Sequence, residues 1–127
     1  MSKLLASIKE AIEKCELRDG MTISFHHHMR NGDYVLNMVL DEIAKMGIKD
    51  LTVNASSVFD VHEPIIGHIK NGVVTGIECN YMGGKVGKAI SEGIMDKPVI
   101  FRSHGGRASD MEKGTSVIDV AFIAAPT

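Results

Sequence analysis

Two hydrophobic rhythms alternate from one end of the chain to the other. Leu4, Leu5, Ile8, Ile12 and Cys15 recur at steps of three and four, which is one face of a helix. After a turn at Gly20, residues 21–25 (MTISF) form a short apolar run of the length of a buried strand. Val35, Met38, Val39, Ile43 and Met46 restore the helical stripe, and Gly47 ends it as a C-terminal cap. A second strand follows at 51–54 (LTVN), then a helix opened by Pro64, with Ile65, Ile66 and Ile69 inside and Asn71-Gly72 closing it. Residues 73–79 (VVTGIEC) make a third strand, and Val86, Ala89, Ile90 and Ile94 mark a fourth helix ending near Gly93. A fourth strand at 98–101 (PVIF), a short helical piece at 110–113 and a fifth strand at 117–125 (VIDVAFIAA) complete the pattern.

These strands are short, nearly continuous in apolar character and separated by helices. Such a pattern predicts parallel strands covered on both faces and joined by right-handed crossovers. The expected fold is a three-layer α/β/α unit with an open, mainly parallel five-stranded sheet, one domain over residues 1–127. A strongly apolar last strand would normally be followed by a covering helix, so the chain is expected to be part of a longer protein. In an open parallel sheet, ligands bind outside the carboxyl ends of the strands, where the strand order reverses. With the order 3-2-1-4-5, strands one and four would be neighbours. Residues 26–33 (HHHMRNGD) and 102–109 (RSHGGRAS) would then face each other as loops across one crevice.

The polar residues are placed to suit that crevice. His26, His27, His28, Arg30, Asn31, Gly32, His104, Gly105, Gly106 and Arg107 all fall at these two carboxyl ends. Guanidinium forks bind carboxylates in a bidentate manner, and Gly-Gly lets backbone N–H groups approach an anion. A helix starting just after Asp33 would add its own N-terminal field, with Asp33 itself as the cap. An anionic, carboxylate-bearing ligand is therefore the expectation. Two further segments at the same end, Ser56-Ser57 and Gly83-Gly84-Lys85, are weaker candidates for cradling a phosphate or a thioester. The latter lacks the spacing of a phosphate-binding loop and the Ser or Thr that should follow its Lys.

Composition narrows the classes. Fourteen basic and sixteen acidic residues give a net charge of −2, without the basic footprint that nucleic acid requires. No apolar run approaches the roughly 20 residues that span a bilayer, and the charged N-terminus does not read as a signal peptide. The two cysteines make neither a disulfide framework nor a zinc motif, so both are expected reduced, in a cytoplasmic protein. His26 and His28 could share one face of a strand end, but no HExxH or Cys-rich spacing supports them, and no metal is expected.

Four segments taken together carry a resemblance. They are DGMTISFHHHMRNGDYVLNMVLDEIAKMGIKDLTV, HIKNGVV, SHGGRA and IDVAFIAAPT, in this order and from residue 19 to 127. The chain resembles the α subunit of citrate lyase, the citrate:acyl-carrier-protein transferase. That resemblance implies the fold shared by class I CoA transferases and ribose-5-phosphate isomerases. It also implies a reaction in which citrate replaces acetate on an acyl-carrier thioester. The implied partners are citrate, acetyl-CoA or the acyl carrier protein (the γ subunit), the β lyase subunit, and further copies in an oligomer. No tightly bound cofactor is implied; acyl-CoA or the carrier's prosthetic group enters as co-substrate. In the family the subunit is several times longer and has two domains. Its glutamate nucleophile lies in a part not matched here, and no glutamate of this chain sits in a matching motif, so no catalytic residue is carried over. A sugar-phosphate isomerase or a non-catalytic small-anion-binding module on the same fold are the alternatives.

Overall fold

The computed structural model describes residues 2–26 and 32–124. Helix α1 is Ile8–Lys14, shorter than its apolar stripe, because Ser7 caps it: the Ser7 hydroxyl accepts from the Glu10 N–H at 3.1 Å. Leu4 and Leu5 stay outside, exposed to solvent. Strand β1 (Thr22–His26) leads into α2 (Val35–Lys45), and β2 (Leu51–Ala55) into a two-residue strand β3 (Ser57–Val58) and a single 3-10 turn at Asp60–His62. Helix α3 (Ile65–Lys70) precedes β4 (Val74–Cys79), and β5 (Tyr81–Met82) precedes α4 (Gly84–Ser91). Strand β6 (Ile100–Phe101), helix α5 (His104–Glu112) and strand β7 (Val120–Ile123) follow.

The main sheet is parallel, five-stranded and ordered β6-β4-β2-β1-β7. A separate pair, β3 with β5, is also parallel; the sequence pattern did not reveal it, since two-residue strands carry no period. The expected order placed the strand at residues 98–101 beside β1. It is instead at the far edge, with two strands between it and β1, and β1 lies between β2 and β7. The reason is local. Crossovers through α2, α3 and α4 step each time to the next strand in one direction, and those helices pack side by side on one face. Only the last crossover turns back, so the reversal of strand order falls between β1 and β7. A strand of two residues with both side chains exposed suits an edge, not a centre.

The helical crossover itself is the second correction. Residues 104–109 are not a loop: α5 runs from His104 to Glu112. Gly105 and Gly106 each cost a helix about 1 kcal/mol relative to Ala, which hid it from the pattern. Ser103 offsets part of that cost, its hydroxyl accepting from the Gly106 N–H at 3.0 Å.

The two faces of the sheet differ. Ile23 and Phe25 of β1 and Val53 and Ala55 of β2 are fully buried in the core with Leu36, Val39, Leu40 and Ile43 of α2 and Ile65 of α3. Phe25 stacks on Phe122 of β7, ring centroids 5.5 Å apart. Alternate residues point the other way, and these are Thr22, Ser24 and His26 on β1 and Thr52 and Asn54 on β2. Strands expected to be apolar on both faces are therefore apolar on one only, and α5 lies across the polar one.

The two cysteines separate cleanly. Cys15 is exposed, whereas Cys79 is buried and its thiol is pushed up to about 11 by desolvation. A thiol reagent at pH 8 should modify one cysteine rapidly in the folded protein and the second only after denaturant is added. Rapid modification of both would contradict the burial of Cys79.

Candidate functional site

One cross-strand row organises the polar face. Asn54 of β2 pairs in register with Ser24 of β1 and Glu78 of β4, Ser24 with Ala121 of β7, and Glu78 with Ile100 of β6. Two arginines, one just before α5 and one inside it, settle on that row. Arg102 is neutralised there: its Nη1 donates to Glu78 and its Nε donates to Asp110 Oδ2 at 2.6 Å. The Glu78 hydrogen bond, then Asp110, hold its pKa above the ordinary value against the opposing effect of burial. Arg102 is thus a structural clamp that fastens the start of α5 to the sheet edge.

Arg107 is held quite differently. Its Nε donates to Asn54 Oδ1 at 3.0 Å and its Nη2 donates to Ser24 Oγ at 2.9 Å. Both acceptors are neutral, and both residues are buried. Asn54 in turn donates through Nδ2 to Ser116 Oγ at 3.0 Å, so its orientation is fixed from both ends. Among the described residues no carboxylate pairs with Arg107. Desolvation alone lowers its pKa from the usual value, yet a guanidinium remains charged throughout the physiological range. A partly buried, uncompensated cation with unused N–H donors favours an anion arriving from outside.

The helix N-termini at this end of the sheet differ in what they face. Asp33 is the expected cap of α2, but the N-cap position is held by Tyr34, which makes no side-chain cap bond. Asp33 stands one residue earlier, its Oδ1 accepting from the Val35 N–H at 2.9 Å and placing a carboxylate at the helix start. Asp60 Oδ1 accepts from the Lys85 N–H at 3.2 Å and would lie 2.6 Å from a Cβ on Gly83. Lys85 Nζ is turned to Glu63 Oε2 at 3.4 Å. Gly83 and Lys85 therefore face carboxylates of the protein, which disfavour a phosphate or thioester phosphate there, whereas Gly84 faces open space. Helix α5, by contrast, starts at a neutral Ser103 cap and has no acidic residue in its first turn.

The remaining candidates fall as follows. His26 ends β1 on the same face as Ser24 and is exposed at its carboxyl end. His104 opens α5, and its Nδ1 accepts from Asn80 Nδ2 at 2.6 Å, just beyond β4. Gly105 and Gly106 form the first turn of α5 with Arg107. Ser56 is buried, and Ser57 belongs to β3 of the small second sheet and not to the row that holds Arg107. Gly32 lies before α2 at φ 87°, a conformation suited to glycine. His27, His28, Arg30 and Asn31 lie outside the described residues. Among the described residues no group of three His, Cys, Asp or Glu side chains is placed to hold a metal ion, and no helix is long and apolar enough to cross a membrane. Clefts of about 380 Å³ beside Asp50, Gly72 and Met95, and about 240 Å³ beside Gly76, Lys97 and Pro98, carry none of the candidate residues.

Sequence reasoning missed Ser24, Asn54 and Ser116, the residues that seat Arg107. A signal for the first two was present: T-I-S-F-H and L-T-V-N alternate polar with apolar, the signature of a strand with one polar face. Ser116 lies in a segment with no periodicity and could not have been paired with Asn54 from spacing. If Asn54 is the centre of this network, Asn54→Ala should destabilise the fold by about 1–3 kcal/mol, because Arg107 loses a partner in a largely dry setting. Urea denaturation measures this, and a change below about 0.5 kcal/mol, the range of an ordinary surface substitution, would contradict it.

Comparison with known proteins places this geometry. Residues 1–127 match the family "Citrate lyase, alpha subunit" (CitF). The citrate lyase alpha chain of Haemophilus influenzae is 50% identical over 124 residues, covering 98% of this chain and 25% of that protein. Those of Klebsiella pneumoniae and Escherichia coli K12 are each 48% identical, over 98% of this chain and 24% of their own length. A crystal structure from Streptococcus mutans, described as the alpha subunit of citrate lyase in complex with citrate, superposes with a TM-score of 0.96 at 66% identity. It covers 99% of this chain, which spans 25% of that one. The chain thus spans about a quarter of the length of the relatives it matches, and within that span it belongs to the citrate lyase α-subunit family.

Proposed function

We propose that this chain forms the carboxylate-recognising N-terminal region of a citrate lyase α subunit, the citrate:acyl-carrier-protein transferase, and that Arg107 receives one carboxylate of citrate. The observation that carries this reading is the guanidinium of Arg107, held by Asn54 and Ser24 on the polar face of the sheet and meeting no carboxylate among the described residues. Support comes from the Streptococcus mutans relative, described as bound to citrate and 66% identical over nearly this whole chain. His26, His104, the first-turn N–H groups of α5 and the segment containing His27, His28, Arg30 and Asn31 complete the candidate set around a ligand with three carboxylates.

The overall exchange is acetyl-thioester plus citrate giving citryl-thioester plus acetate. Citrate must be held with one carboxylate free to attack and the others neutralised, which is the task suited to fixed arginine and N–H donors. A covalent route requires a carboxylate nucleophile that accepts the acetyl group, and among the described residues none is paired with Arg107. Glu78, the glutamate on the same row, is spent on Arg102. The nucleophile, the acyl carrier and the lyase subunit are therefore assigned to other parts of the assembly, and the acyl-CoA or acyl-carrier thioester enters as co-substrate.

Titration calorimetry of citrate into the full-length subunit tests this reading. Arg107→Met should weaken binding roughly ten- to hundredfold, the worth of charge-assisted hydrogen bonds lost from a partly dry site. Arg30→Ala should act in the same direction. Undiminished affinity in both variants, with folding intact, would remove the arginines from the citrate site.

A further inference from the structure

Asn80 stands between the exit of β2 and the start of α5. Its N–H donates to the Ser56 carbonyl at 3.1 Å, and the Arg102 N–H donates to the carbonyl of the preceding residue, Cys79, at 3.1 Å. The half-buried side chain makes one hydrogen bond among the described residues: Nδ2 donates to His104 Nδ1 at 2.6 Å. The other end of the amide, Oδ1, is buried and has no partner. Buried polar atoms are almost always paired, so this amide serves the fold badly, and its one bond calls for another reason.

That bond decides what His104 can offer. A ring nitrogen that accepts carries no proton, so the imidazole proton sits on Nε2 and the ring presents a donor. No described residue takes that Nε2, and His104 is exposed at the first position of α5. Arg107 follows three residues later, a spacing that makes two side chains neighbours on one helix face. Both reach the sheet, His104 at the end of β4 and Arg107 over β2 and β1. We propose that Asn80 is a positioning residue. It fixes the tautomer and orientation of His104, so that Nε2–H donates to the same carboxylate-bearing ligand as Arg107, while Asn80 itself touches no ligand. The identity of that ligand rests on the citrate reading given above; the tautomer does not. Held in this way, His104 adds a donor to an anion site and is not a general base.

Two measurements on the full-length subunit test this. In wild type carrying isotope-labelled histidine, the ring-nitrogen NMR signals of His104, assigned by their loss in His104→Gln, should show the proton on Nε2. A proton on Nδ1 overturns the proposal and leaves the citrate reading standing. Calorimetry with citrate gives the second measurement. His104→Gln keeps an N–H where Nε2 stands and should bind within about twofold of wild type, whereas His104→Asn, which lacks it, should bind about tenfold more weakly. Asn80→Ala should weaken binding about fivefold in the wild-type background but less than about twofold in His104→Gln, because glutamine has no nitrogen at the Nδ1 position for Asn80 to hold. Asn80→Ser runs the same cycle if Asn80→Ala does not fold. An asparagine that merely supports the fold would weaken both backgrounds equally, and that result overturns the positioning role. Wild-type affinity in His104→Asn beside weakened binding in Arg107→Met overturns this role alone. A wild-type subunit that binds no citrate overturns the citrate reading, and the role proposed for Asn80 with it.

Discussion

A single guanidinium bridging two adjacent strands governs the polar face of this sheet. Arg107 donates to Asn54 and to Ser24, which are register partners, so the arginine spans the β1–β2 seam. A side chain with many rotamers is thereby reduced to one orientation before any ligand arrives. The entropy of ordering it is spent during folding and not at binding, which is the general advantage of a preorganised site. Asn54 can perform this only because Ser116, far along the chain, takes its amide N–H. The network therefore also fixes how the segment between α5 and β7 returns to the sheet.

The neighbouring arginine shows why geometry alone does not make a binding group. Arg102 and Arg107 lie on the same row, five residues apart in sequence, and both are partly buried. One faces Glu78 and Asp110 and is electrically complete. The other, among the described residues, faces an amide and a hydroxyl and no carboxylate. The same distinction sorts the helix N-termini. Asp33 and Asp60 satisfy α2 and α4 from within the chain, whereas α5 begins at an uncharged serine. Arg107 thus lies over β1 and β2, one strand from the β1–β7 reversal where open parallel sheets place their ligands.

How much of this the sequence disclosed can be judged element by element. The five main strands and first four helices were legible because their apolar periods are clean and glycine or proline punctuates them. The strand order was not, since two orders differ only in which crossover turns back, and no local residue encodes that choice. Helix α5 was obscured by two consecutive glycines whose low propensity is overridden by the Ser103 cap and by tertiary bonds through Arg102 and Arg107. Its course nevertheless lays Arg107 over Ser24 in the middle of β1, on the face of the sheet that also carries His26, even though β6 and β1 are not neighbours. The route is a helix crossing the sheet and not a pair of adjacent loops. The polar alternation in residues 22–26 and 51–54 was readable, and attending to it would have revealed the one-sided polarity directly. The Ser116–Asn54 bond, by contrast, is visible only in three dimensions.

The central claim is that Arg107, anchored on Ser24 and Asn54, meets a carboxylate of the ligand through its remaining donors. A crystal structure of the full-length subunit grown with citrate decides it most directly. The account predicts a citrate carboxylate oxygen about 3 Å from an Arg107 Nη atom, with the bonds to Ser24 and Asn54 retained. Citrate bound elsewhere, with Arg107 contacting only those two residues or turned to a protein carboxylate, would contradict it.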